Sequence, residues 1–470
     1  MTKDSKTLHF LGMNGSGISG VACLAKQYGY NVSGCDLTKI SNYTDQLNEL
    51  DIDVLEGHSV EHLDGVDELI VSAAIYFKDK YKTIPEVMEA MKRGIKITKW
   101  QEFIDNNLTR DKELICVCGT HGKTTTTTFV ADMLEFLGAD PSALIGGVNG
   151  KWNRGYKAGK GKYFVCESDE YGNNFWSYHP KYIIINNIEM EHPEFFKNID
   201  NYRDNFATFI KNIRDNGILI FNRDCDETYD LVRKLKDFLL SKNVKIICYT
   251  LNNNKRTAGF IKTIRATSKE DTSFNVENVG EFKLNDIHGK HNIRNCLGVI
   301  SLMLELGFEV NDIKNAVARV SLPKRRMEKI FSSNSVDVYD DYAHHHTQIF
   351  YNLSTLKNNI DKNDKIIAIL EPHLISRFKN NSKQFIEYME FADFPIITKF
   401  YKSREKDLDD LNLDEYLKGS KIKYIESFDD VIKEAMVLLD TEKYKKMHIV
   451  IMGAGLSYKL ASDFVNILKM

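Results

Sequence analysis

The chain has 470 residues, of which 43% are hydrophobic, so it is long and apolar enough to form about three domains with separate cores. A net charge of −3 gives no electrostatic attraction for nucleic acid or anionic lipid, and no run of about 18 apolar residues predicts membrane insertion. Because the amino terminus is polar and the eight cysteines are scattered, we expect a cytoplasmic protein with reduced thiols.

The first predicted segment, residues 1–108, opens with a strand, a glycine-rich turn and a helix. The strand Thr7–Leu11 leads into the turn Gly12–Gly17, and a second strand ends at Asp36. This order is typical of a nucleotide-binding unit, with a diphosphate at the helix N-terminus and an acidic residue beyond the neighbouring strand. A glycine turn is a weak signal by itself, since it also occurs where a helix packs closely on a strand. In that simpler interpretation, Asp36 is a solvated loop residue.

The middle segment, residues 109–323, opens with the most informative stretch of the chain. The apolar run Leu114–Val117 predicts a buried strand, and an apolar-periodic helix is predicted after it. Between them lies Gly-Thr-His-Gly-Lys-Thr at 119–124, a shortened phosphate loop. Its glycines allow backbone N–H groups to face a phosphate, while Lys123 can reach the β- and γ-phosphates and Thr124 can bind Mg²⁺. We therefore predict that the chain binds a nucleoside triphosphate.

Acidic residues follow two further predicted strands of this segment. Glu167–Glu170 follows the strand at 162–166, and Asn187–His192 follows the strand at 182–185. Three carboxylates in four residues repel one another, which favours a nearby cation, and ligands bind at the carboxyl ends of strands in open α/β sheets. Each stretch alone is equally well explained as a solvated loop. Together, in a segment with a phosphate loop, they favour Mg²⁺.

Strands and helices alternate through the rest of the chain. In the middle segment this alternation predicts a parallel, doubly wound sheet, and the polar region 255–281 predicts an antiparallel excursion. The last segment, residues 324–470, has three predicted strands and ends with Gly453–Gly455 and a helix. The predicted fold class is therefore α/β, with a central phosphate-loop domain between two Rossmann-like domains. We expect the junction at 323–326 to act as a hinge.

Several longer motifs follow one another in order along almost the whole chain. They are Phe10–Gly20, Gly119–Thr124, Glu167–Glu170, Gly289–Asn295, Arg325–Glu328, Asp340–His345, Glu371–His373 with Ser376–Arg377, and Met452–Gly455. This set closely resembles the Mur ligases, the ATP-dependent amide-forming enzymes of peptidoglycan assembly. The resemblance is greatest to the branch of that family that adds L-alanine to UDP-N-acetylmuramate.

The resemblance implies a role for individual residues of this chain. Residues implied to contact ATP are Gly119, Thr120, Gly122, Lys123, Thr124, Thr125, His291, Asn292, Asn295, Arg326 and Asp341. Those implied to bind Mg²⁺ are Thr124, Glu167 and His192, and those implied to hold the sugar nucleotide are Gly12, Ser16, Gly17, Asp36, Ser72, Gly146 and Gly147. Tyr342, His344 and Arg377 would border the amino acid.

The implied catalytic residues are Lys123, His192, His344 and Arg377, with His192 and His344 as unranked candidates for the base. As simpler interpretations, Asn292 and Asn295 would cap a helix, and Arg325 and Arg326 would form a solvated turn.

The implied reaction joins L-alanine to the lactyl carboxylate of UDP-N-acetylmuramate through an acyl phosphate, giving ADP and phosphate. The implied assembly is a monomer or a homodimer. The chain departs from the pattern of this branch at His346, Thr347 and Gln348, and at Leu374, where an arginine is usual. Leu374 removes a positive charge from the amino-acid side, so glycine, L-serine or a recycled tripeptide stay open as the added group.

Two interpretations from other functional classes also stay open. If the first glycine turn bound NAD, the protein would be an oxidoreductase, although a dehydrogenase has no need of the phosphate-loop lysine. If nucleotide bound without reaction, the protein would be a nucleotide switch, although Lys123, Glu167 and His192 together favour catalysis.

Overall fold

A computed structural model describes residues 6–41, 43–72, 75, 81–192, 195–252, 254, 257–402, 405 and 411–469. The chain divides into two compact units. The first unit holds the described residues up to Glu191 and those from 195 to 323, and the second unit holds His192 and those from 324 onward. Among the described residues, no helix is both long enough and apolar enough to cross a membrane. The predicted α/β fold class is confirmed, while the domain boundaries at 108 and 323 stay predictions.

The first sheet belongs to the first unit and is parallel throughout, in the order β3-β2-β1-β4-β5. Its strands are β1 Thr7–Leu11, β2 Asn31–Asp36, β3 Val54–Glu56, β4 Glu68–Val71 and β5 Lys96–Lys99. Its helices are α1 Ser16–Gln27, α2 Thr44–Asn48, α3 Pro85–Arg93 and α4 Trp100–Phe103, with a π-helical turn at Ile104–Leu108 and 3₁₀ turns at Val60–Leu63 and Tyr81–Thr83. Leu8 and Phe10 of β1 are fully buried, as expected for a central parallel strand.

The second sheet, also in the first unit, has ten strands in the order β15-β14-β13-β12-β11-β10-β6-β9-β7-β8. They are β6 Glu113–Cys118, β7 Ser142–Asn149, β8 Arg154–Lys157, β9 Tyr163–Glu167, β10 Tyr182–Ile185, β11 Ile218–Asn222, β12 Lys245–Thr250, β13 Lys262–Ser268, β14 Ser273–Val276 and β15 Gly280–Lys283. The helices are α5 Lys123–Phe136, α6 Ile199–Lys211, α7 Asp226–Lys234, α8 Lys236–Ser241, α9 Lys290–Glu305 and α10 Val310–Val317, with a 3₁₀ segment at Tyr171–Ser177. The centre is parallel, as predicted, and both edges are antiparallel. The predicted excursion is formed by β13–β15, although residues 255 and 256 lie outside the described residues.

The third sheet belongs to the second unit and runs β16-β17-β21-β18-β19-β20, parallel except for the edge strand β16. Its strands are β16 Glu328–Ser332, β17 Val336–Asp341, β18 Lys365–Leu370, β19 Phe394–Ile397, β20 Lys423–Tyr424 and β21 Met447–Met452. Its helices are α11 His346–Asn359, α12 Ile375–Asn380, α13 Ser382–Met389, α14 Leu413–Leu417, α15 Phe428–Thr441 and α16 Ser457–Leu468. Two apolar clusters pack on the faces of this sheet, so the second unit has its own core.

Helix α5 forms despite five consecutive threonines, which are poor helix formers because their side chains are β-branched. Two of them satisfy their hydroxyls within the helix. Thr127 Oγ1 and Thr128 Oγ1 each donate to the carbonyl four residues earlier, at 2.8 Å. All five are buried, so packing between the second sheet and its neighbours outweighs the weak helix propensity.

Candidate active site

The phosphate loop connects the carboxyl end of β6 to the N-terminus of α5. Gly119 and Gly122 have φ values of 132° and 78°, a backbone conformation that residues with a side chain rarely adopt. A Cβ added at Gly122 would also lie 2.8 Å from Asn295 Oδ1 and 2.9 Å from Asn186 Nδ2. Glycine is therefore required at this turn both by conformation and by space. The resulting helix N-terminus presents backbone N–H groups that suit a phosphate.

Lys123 is paired with a buried carboxylate. Its Nζ donates to Glu170 Oε2 at 2.7 Å and lies 3.9 Å from Asp169. Glu170 is fully buried and also accepts a hydrogen bond from Tyr202 at 2.9 Å. Burial alone would lower the pKa of Lys123, but the charges of Glu170 and Asp169 outweigh it and raise the pKa above its usual value. Lys123 therefore places a fixed positive charge at the loop. This charge lies next to the carboxylates of Glu170 and Asp169.

Glu167 at the end of β9 joins the phosphate loop to strand β7. Its Oε1 accepts from Thr124 Oγ1 at 3.1 Å, and its Oε2 accepts from the Gly146 N–H at 2.8 Å. A Cβ added at Gly146 would lie 2.6 Å from the carboxylate carbon, so a side chain there would displace Glu167. A hydroxyl and a carboxylate are the oxygen ligands that Mg²⁺ prefers, so this donor set fits the ion.

The other side of the loop is held by the residues that follow β10. Thr120 Oγ1 donates to the Glu189 carbonyl and accepts from the Glu189 N–H, each at 2.9 Å. The His121 N–H donates to Asn187 Oδ1 at 2.8 Å, and the His121 ring lies 2.9 Å from Glu189 Oε2. The residues after β10 therefore fix the backbone of the predicted phosphate loop at Thr120 and His121.

A pocket lies where the first and second sheets meet. It encloses about 280 Å³ including its open mouth, and among its lining residues are Ser16, Tyr43, Gln46, Gly146 and Gly147. Ser16 begins α1, so a helix N-terminus borders the pocket. The structure thus brings Ser16 next to Gly146 and Gly147, three residues that the resemblance assigns to the sugar nucleotide.

The remaining sugar-nucleotide candidates lie at the carboxyl edge of the first sheet. Gly12 has a φ of 78°, and a Cβ there would lie 3.2 Å from Ser72 Cβ, so these two residues are in contact range. Asp36 accepts from the N–H groups of Asn14 and Leu37 at 2.9 and 2.7 Å, which orients its carboxylate. Gly17 faces the Trp100 ring, 2.9 Å from where its Cβ would be. Packing is therefore a sufficient reason for glycine at 17.

The three adenine candidates lie at the start of α9. Asn295 borders Gly122 of the loop, as its contact with an added Cβ shows. Asn292 Nδ2 donates to the His288 carbonyl at 2.9 Å, so its side chain has a local role at the helix start. Desolvation, with a smaller effect of Arg294, lowers the pKa of His291 to about 4, which leaves the ring neutral. Thr125, another residue implied to contact ATP, is buried within α5.

In the second unit, two arginines border Tyr342, which directly follows the carboxyl end of β17. Their guanidinium carbons lie 5.2 Å (Arg325) and 5.4 Å (Arg326) from the Tyr342 ring centroid. Arg325 is bonded to Asp340 at 3.0 Å, so it is not a solvated residue of a turn. Asp341 accepts from the Ala343 N–H at 2.6 Å, and burial raises its pKa despite the charge of Arg326.

The amino-acid candidates lie together in the same unit. His344 Nδ1 lies 2.9 Å from the Tyr342 carbonyl, and the His344 ring centroid lies 5.4 Å from that of His373. Arg377 is only 3% exposed, and its Nη1 lies 2.9 Å from His373 Nδ1. Leu374 is fully buried with a φ of 65°, an uncommon conformation for leucine that surrounding structure must hold in place.

His192 also has a left-handed backbone, with a φ of 55°, and belongs to the second unit. Its assignment as a magnesium ligand stays a prediction. The sequence did not single out Glu170, Tyr202 or Asn186 as separate site residues. Glu170 belongs to the acidic motif and Asn186 follows a predicted strand, so strand-end position was a usable signal for both. Tyr202 comes from α6, and nothing in its sequence neighbourhood indicates a contact with the loop.

Comparison with known proteins gives three family matches in chain order. The Mur ligase family catalytic domain matches residues 7–111, the Mur ligase middle domain 117–303, and the Mur ligase glutamate ligase domain 325–455. A UDP-N-acetylmuramate–L-alanine ligase of Caldicellulosiruptor bescii is 33% identical over 440 residues, covering 91% of this chain and 92% of the relative. The chain belongs to the Mur ligase family.

Other members support the same conclusion. A UDP-N-acetylmuramate–L-alanine ligase of Rickettsia bellii is 32% identical over 96% of this Mur ligase and 94% of the relative. The crystal structure of the UDP-N-acetylmuramate–alanine ligase of Thermotoga maritima has a TM-score of 0.78 and 25% identity, covering 98% and 99% of the two chains. A murein peptide ligase of Psychrobacter arcticus shares the fold, with a TM-score of 0.67 and 24% identity over 99% of both chains.

Proposed function

We propose that this Mur ligase joins L-alanine to the lactyl carboxylate of UDP-N-acetylmuramate in the synthesis of peptidoglycan precursors. ATP supplies the γ-phosphoryl group that turns the carboxylate into an acyl phosphate, and the amine of alanine then displaces phosphate. The alanine-adding relatives cover more than nine-tenths of the chain, which favours this reaction over oxidoreduction or a non-catalytic switch.

One observation carries the proposal: Glu167 bonds both the phosphate loop and the strand that borders the pocket. Its two oxygens contact Thr124 and the Gly146 N–H, and Gly146 lines the pocket together with Ser16. A phosphate donor on the loop and an acceptor in the pocket would thus be neighbours. Such proximity removes much of the entropic barrier to phosphoryl transfer.

The residues of the loop have separate roles in this scheme. Lys123 would hold the phosphates as a point charge, and the backbone N–H groups at 119–124 would bind their oxygens. Thr124 and Glu167 would hold Mg²⁺, with His192 proposed as a further ligand. When bound, Mg²⁺ neutralises charge that builds up on the phosphate oxygens.

His344 is the base that the geometry of the second unit favours. A carbonyl oxygen only accepts hydrogen bonds, so a bond between His344 Nδ1 and the Tyr342 carbonyl requires a proton on Nδ1. In the neutral ring, Nε2 then carries the lone pair that can accept a proton from the attacking amine. We therefore rank His344 ahead of His192 for this role.

Arg377 would hold the carboxylate of the incoming amino acid. It is almost fully buried and oriented by His373, so it offers a fixed guanidinium fork. Leu374 is also buried beside these residues, which leaves an apolar edge where the usual arginine would add charge. A small amino acid suits this edge better than a charged tripeptide, whose additional polar groups would be left unpaired.

Other parts of the assignment rest on the same scheme. We propose residues 1–108 as the sugar-nucleotide domain, 109–323 as the ATP domain and 324–470 as the ligase domain. Arg326 and Asp341 would contact ATP, as would His291, Asn292 and Asn295. Because the reaction consumes ATP, we propose that it takes place in the cytoplasm, in a monomer or a homodimer.

The test is phosphate release with ATP, Mg²⁺, UDP-N-acetylmuramate and one acceptor at a time. We expect the highest kcat/KM with L-alanine, lower values with glycine and L-serine, and the lowest with the tripeptide. A single methyl group discriminates by only about 10–200-fold, so glycine should still react measurably. If the tripeptide gave the highest kcat/KM, the recycling reaction would replace this proposal.

A matched pair of variants on helix α12 tests the amino-acid side. Arg377→Gln removes a charge-assisted hydrogen bond worth about 1.5–3 kcal/mol, so the KM for alanine should rise roughly 10–100-fold. The KM for ATP should change little. Lys379→Gln, on the exposed face of the same helix, is the control and should leave both constants unchanged. An equal effect of the two substitutions would remove Arg377 from the amino-acid site.

A further inference from the structure

Tyr401 lies beside the proposed amino-acid site, in the segment that follows β19 of the second unit. Its backbone pairs with the loop between β18 and α12, as an isolated parallel bridge opposite His373. The Tyr401 N–H donates to the Pro372 carbonyl at 2.9 Å, and the Leu374 N–H donates to the Tyr401 carbonyl at 3.2 Å. These two bonds hold the backbone on both sides of His373. The ligase reaction proposed above gives Tyr401 no role.

The side chain of Tyr401 contacts His373 as well. The two rings are nearly parallel, with an interplanar angle of 25° and centroids 5.9 Å apart, which is an offset stack. The Tyr401 ring also lies against the turn before α16, because a Cβ added at Gly455 would be only 2.6 Å from Tyr401 Cδ2. That turn is itself anchored, since the Ser457 N–H donates to Glu371 Oε2 at 3.0 Å. The Tyr401 ring therefore links an anchored turn to His373.

His373 carries this contact to the amino-acid site. Its Nδ1 lies 2.9 Å from Arg377 Nη1, and its ring centroid lies 5.4 Å from that of His344. A guanidinium has only hydrogen-bond donors, so Nδ1 of His373 accepts this bond and carries no proton. The proton of the neutral ring is then on Nε2. The direction of the Arg377 side chain therefore depends on both the orientation and the tautomer of His373.

The backbone that presents Arg377 depends on contacts of this kind. Leu374 has a φ of 65°, a conformation that persists in leucine only where neighbouring structure imposes it. The bond from its N–H to the Tyr401 carbonyl is one such contact. Helix α12, which carries Arg377, has only six residues and is too short to be stable alone. The segment after β19 also holds its first turn, where the Ser376 N–H donates to Glu405 Oε2 at 3.2 Å.

We propose that Tyr401 is a positioning residue of the amino-acid site. Its ring fixes the imidazole of His373, and His373 in turn holds the Arg377 guanidinium in the direction that receives the carboxylate of the incoming amino acid. This inference rests on the role proposed above for Arg377. That carboxylate takes no part in bond making, so Arg377 binds it equally in the ground state and in the transition state. Loss of the Tyr401 ring should therefore weaken acceptor binding and leave the chemical step largely intact.

The kinetic test compares Tyr401→Leu with Tyr401→Phe in the full-length protein. Leucine keeps both backbone bonds but removes the ring, whereas phenylalanine keeps the ring. Measured with the acceptor that the parent uses best, the KM for this acceptor should rise about tenfold in Tyr401→Leu, while kcat and the KM for ATP stay nearly unchanged. Tyr401→Phe should retain the parent KM. An unchanged acceptor KM in Tyr401→Leu would overturn the proposal.

Tyr444→Leu is the matched control. Tyr444 is a partly buried tyrosine of the same unit, but it packs on the apolar cluster between the third sheet and helices α15 and α16. Its hydroxyl donates to the Leu439 carbonyl at 2.9 Å. This variant should lose stability in urea denaturation without a change in the acceptor KM. An equal rise of KM in Tyr444→Leu would assign the effect to general destabilisation and overturn the proposal.

The tautomer of His373 tests the same contact without any substrate. Nitrogen-15 chemical shifts separate protonated from unprotonated ring nitrogens, and comparison with His373→Gln identifies the signal. Above neutral pH we expect the proton on Nε2 in the parent and in Tyr401→Phe, and a mixture of tautomers in Tyr401→Leu.

A proton on Nδ1 of His373 in the parent would overturn the proposal, even where Tyr401→Leu fails to fold. Retention of the Nε2 tautomer in a folded Tyr401→Leu would overturn it as well. If the tautomer changes as expected but the parent prefers an acceptor other than L-alanine, the proposed reaction is wrong and the positioning role of Tyr401 is supported.

Discussion

Breaking the ion pair between Lys123 and Glu170 should lower both the stability of the fold and the rate of phosphate release, for two different reasons. Glu170 is 0% exposed and Lys123 only 14%, and the two charges are 2.7 Å apart. Removing one partner of such a pair leaves a buried charge uncompensated, at a cost of about 3–5 kcal/mol. Tyr202 still donates to Glu170, so we expect Lys123→Ala to lose about 3 kcal/mol, at the lower end of that range. Phosphate release should fall by at least about 100-fold.

A double variant separates these two effects. Lys123→Met with Glu170→Gln removes both charges, so most of the lost stability should return while phosphate release stays low. Lys151→Ala is the control: its Nζ lies 2.7 Å from the fully buried Asp132, away from the loop. We expect it to lower stability comparably and leave phosphate release intact. Urea denaturation and a phosphate assay measure the two quantities. Recovery of activity in the double variant would show that Lys123 is only structural.

Two further predictions concern Gly146 and Asp337. Gly146→Ala should displace the Glu167 carboxylate and raise the Mg²⁺ concentration for half-maximal phosphate release about tenfold or more, whereas Gly150→Ala, whose Cβ would meet its nearest atom at 3.7 Å, should not. Unchanged magnesium dependence in Gly146→Ala would contradict the assignment of Glu167. Burial alone would raise the pKa of Asp337, but hydrogen bonds from two lysines and a serine hold it at about 2, below the unfolded value of about 3.9. The ionised Asp337 therefore adds about 2 kcal/mol to the free energy of unfolding above about pH 4, and this contribution is lost as the pH falls through 2. In urea denaturation, Asp337→Asn should be less stable than the parent at pH 7, by an amount that becomes smaller at acidic pH. A stability difference that does not change with pH would contradict this assignment.

The fold could be predicted from sequence wherever local and tertiary preferences agree. The strand Thr7–Leu11 occurs at the predicted residues, and the strand at Leu114–Val117 extends by one residue on each side. Both are apolar runs that a parallel sheet buries on two faces, so the pattern has one stable solution. The phosphate loop was identifiable because its glycines are needed for a left-handed backbone, a requirement that sequence states directly.

The sequence could not predict contacts between distant elements. The order of the ten-stranded sheet, with antiparallel strands at both edges, depends on pairings that no local pattern specifies. The hydrogen bond from Tyr202 to Glu170 joins residues 32 positions apart through side chains alone. At Leu374, the sequence shows that the usual arginine charge is missing, but it does not show the backbone conformation. The φ of 65° is imposed by the surrounding fold.

The charges at the phosphate loop support the divalent cation that we propose at this site. One positive side chain, Lys123, stands among Glu167, Asp169 and Glu170, so the local formal charge is one minus three, or −2. Most of these groups are buried or partly buried, where water screens charge weakly. An uncomplexed nucleotide would therefore meet net repulsion, even though the loop N–H groups are oriented for it. A divalent ion held by Thr124 and Glu167 would bring the site to neutrality, so on our proposal the acidic motif would make nucleotide binding depend on the metal.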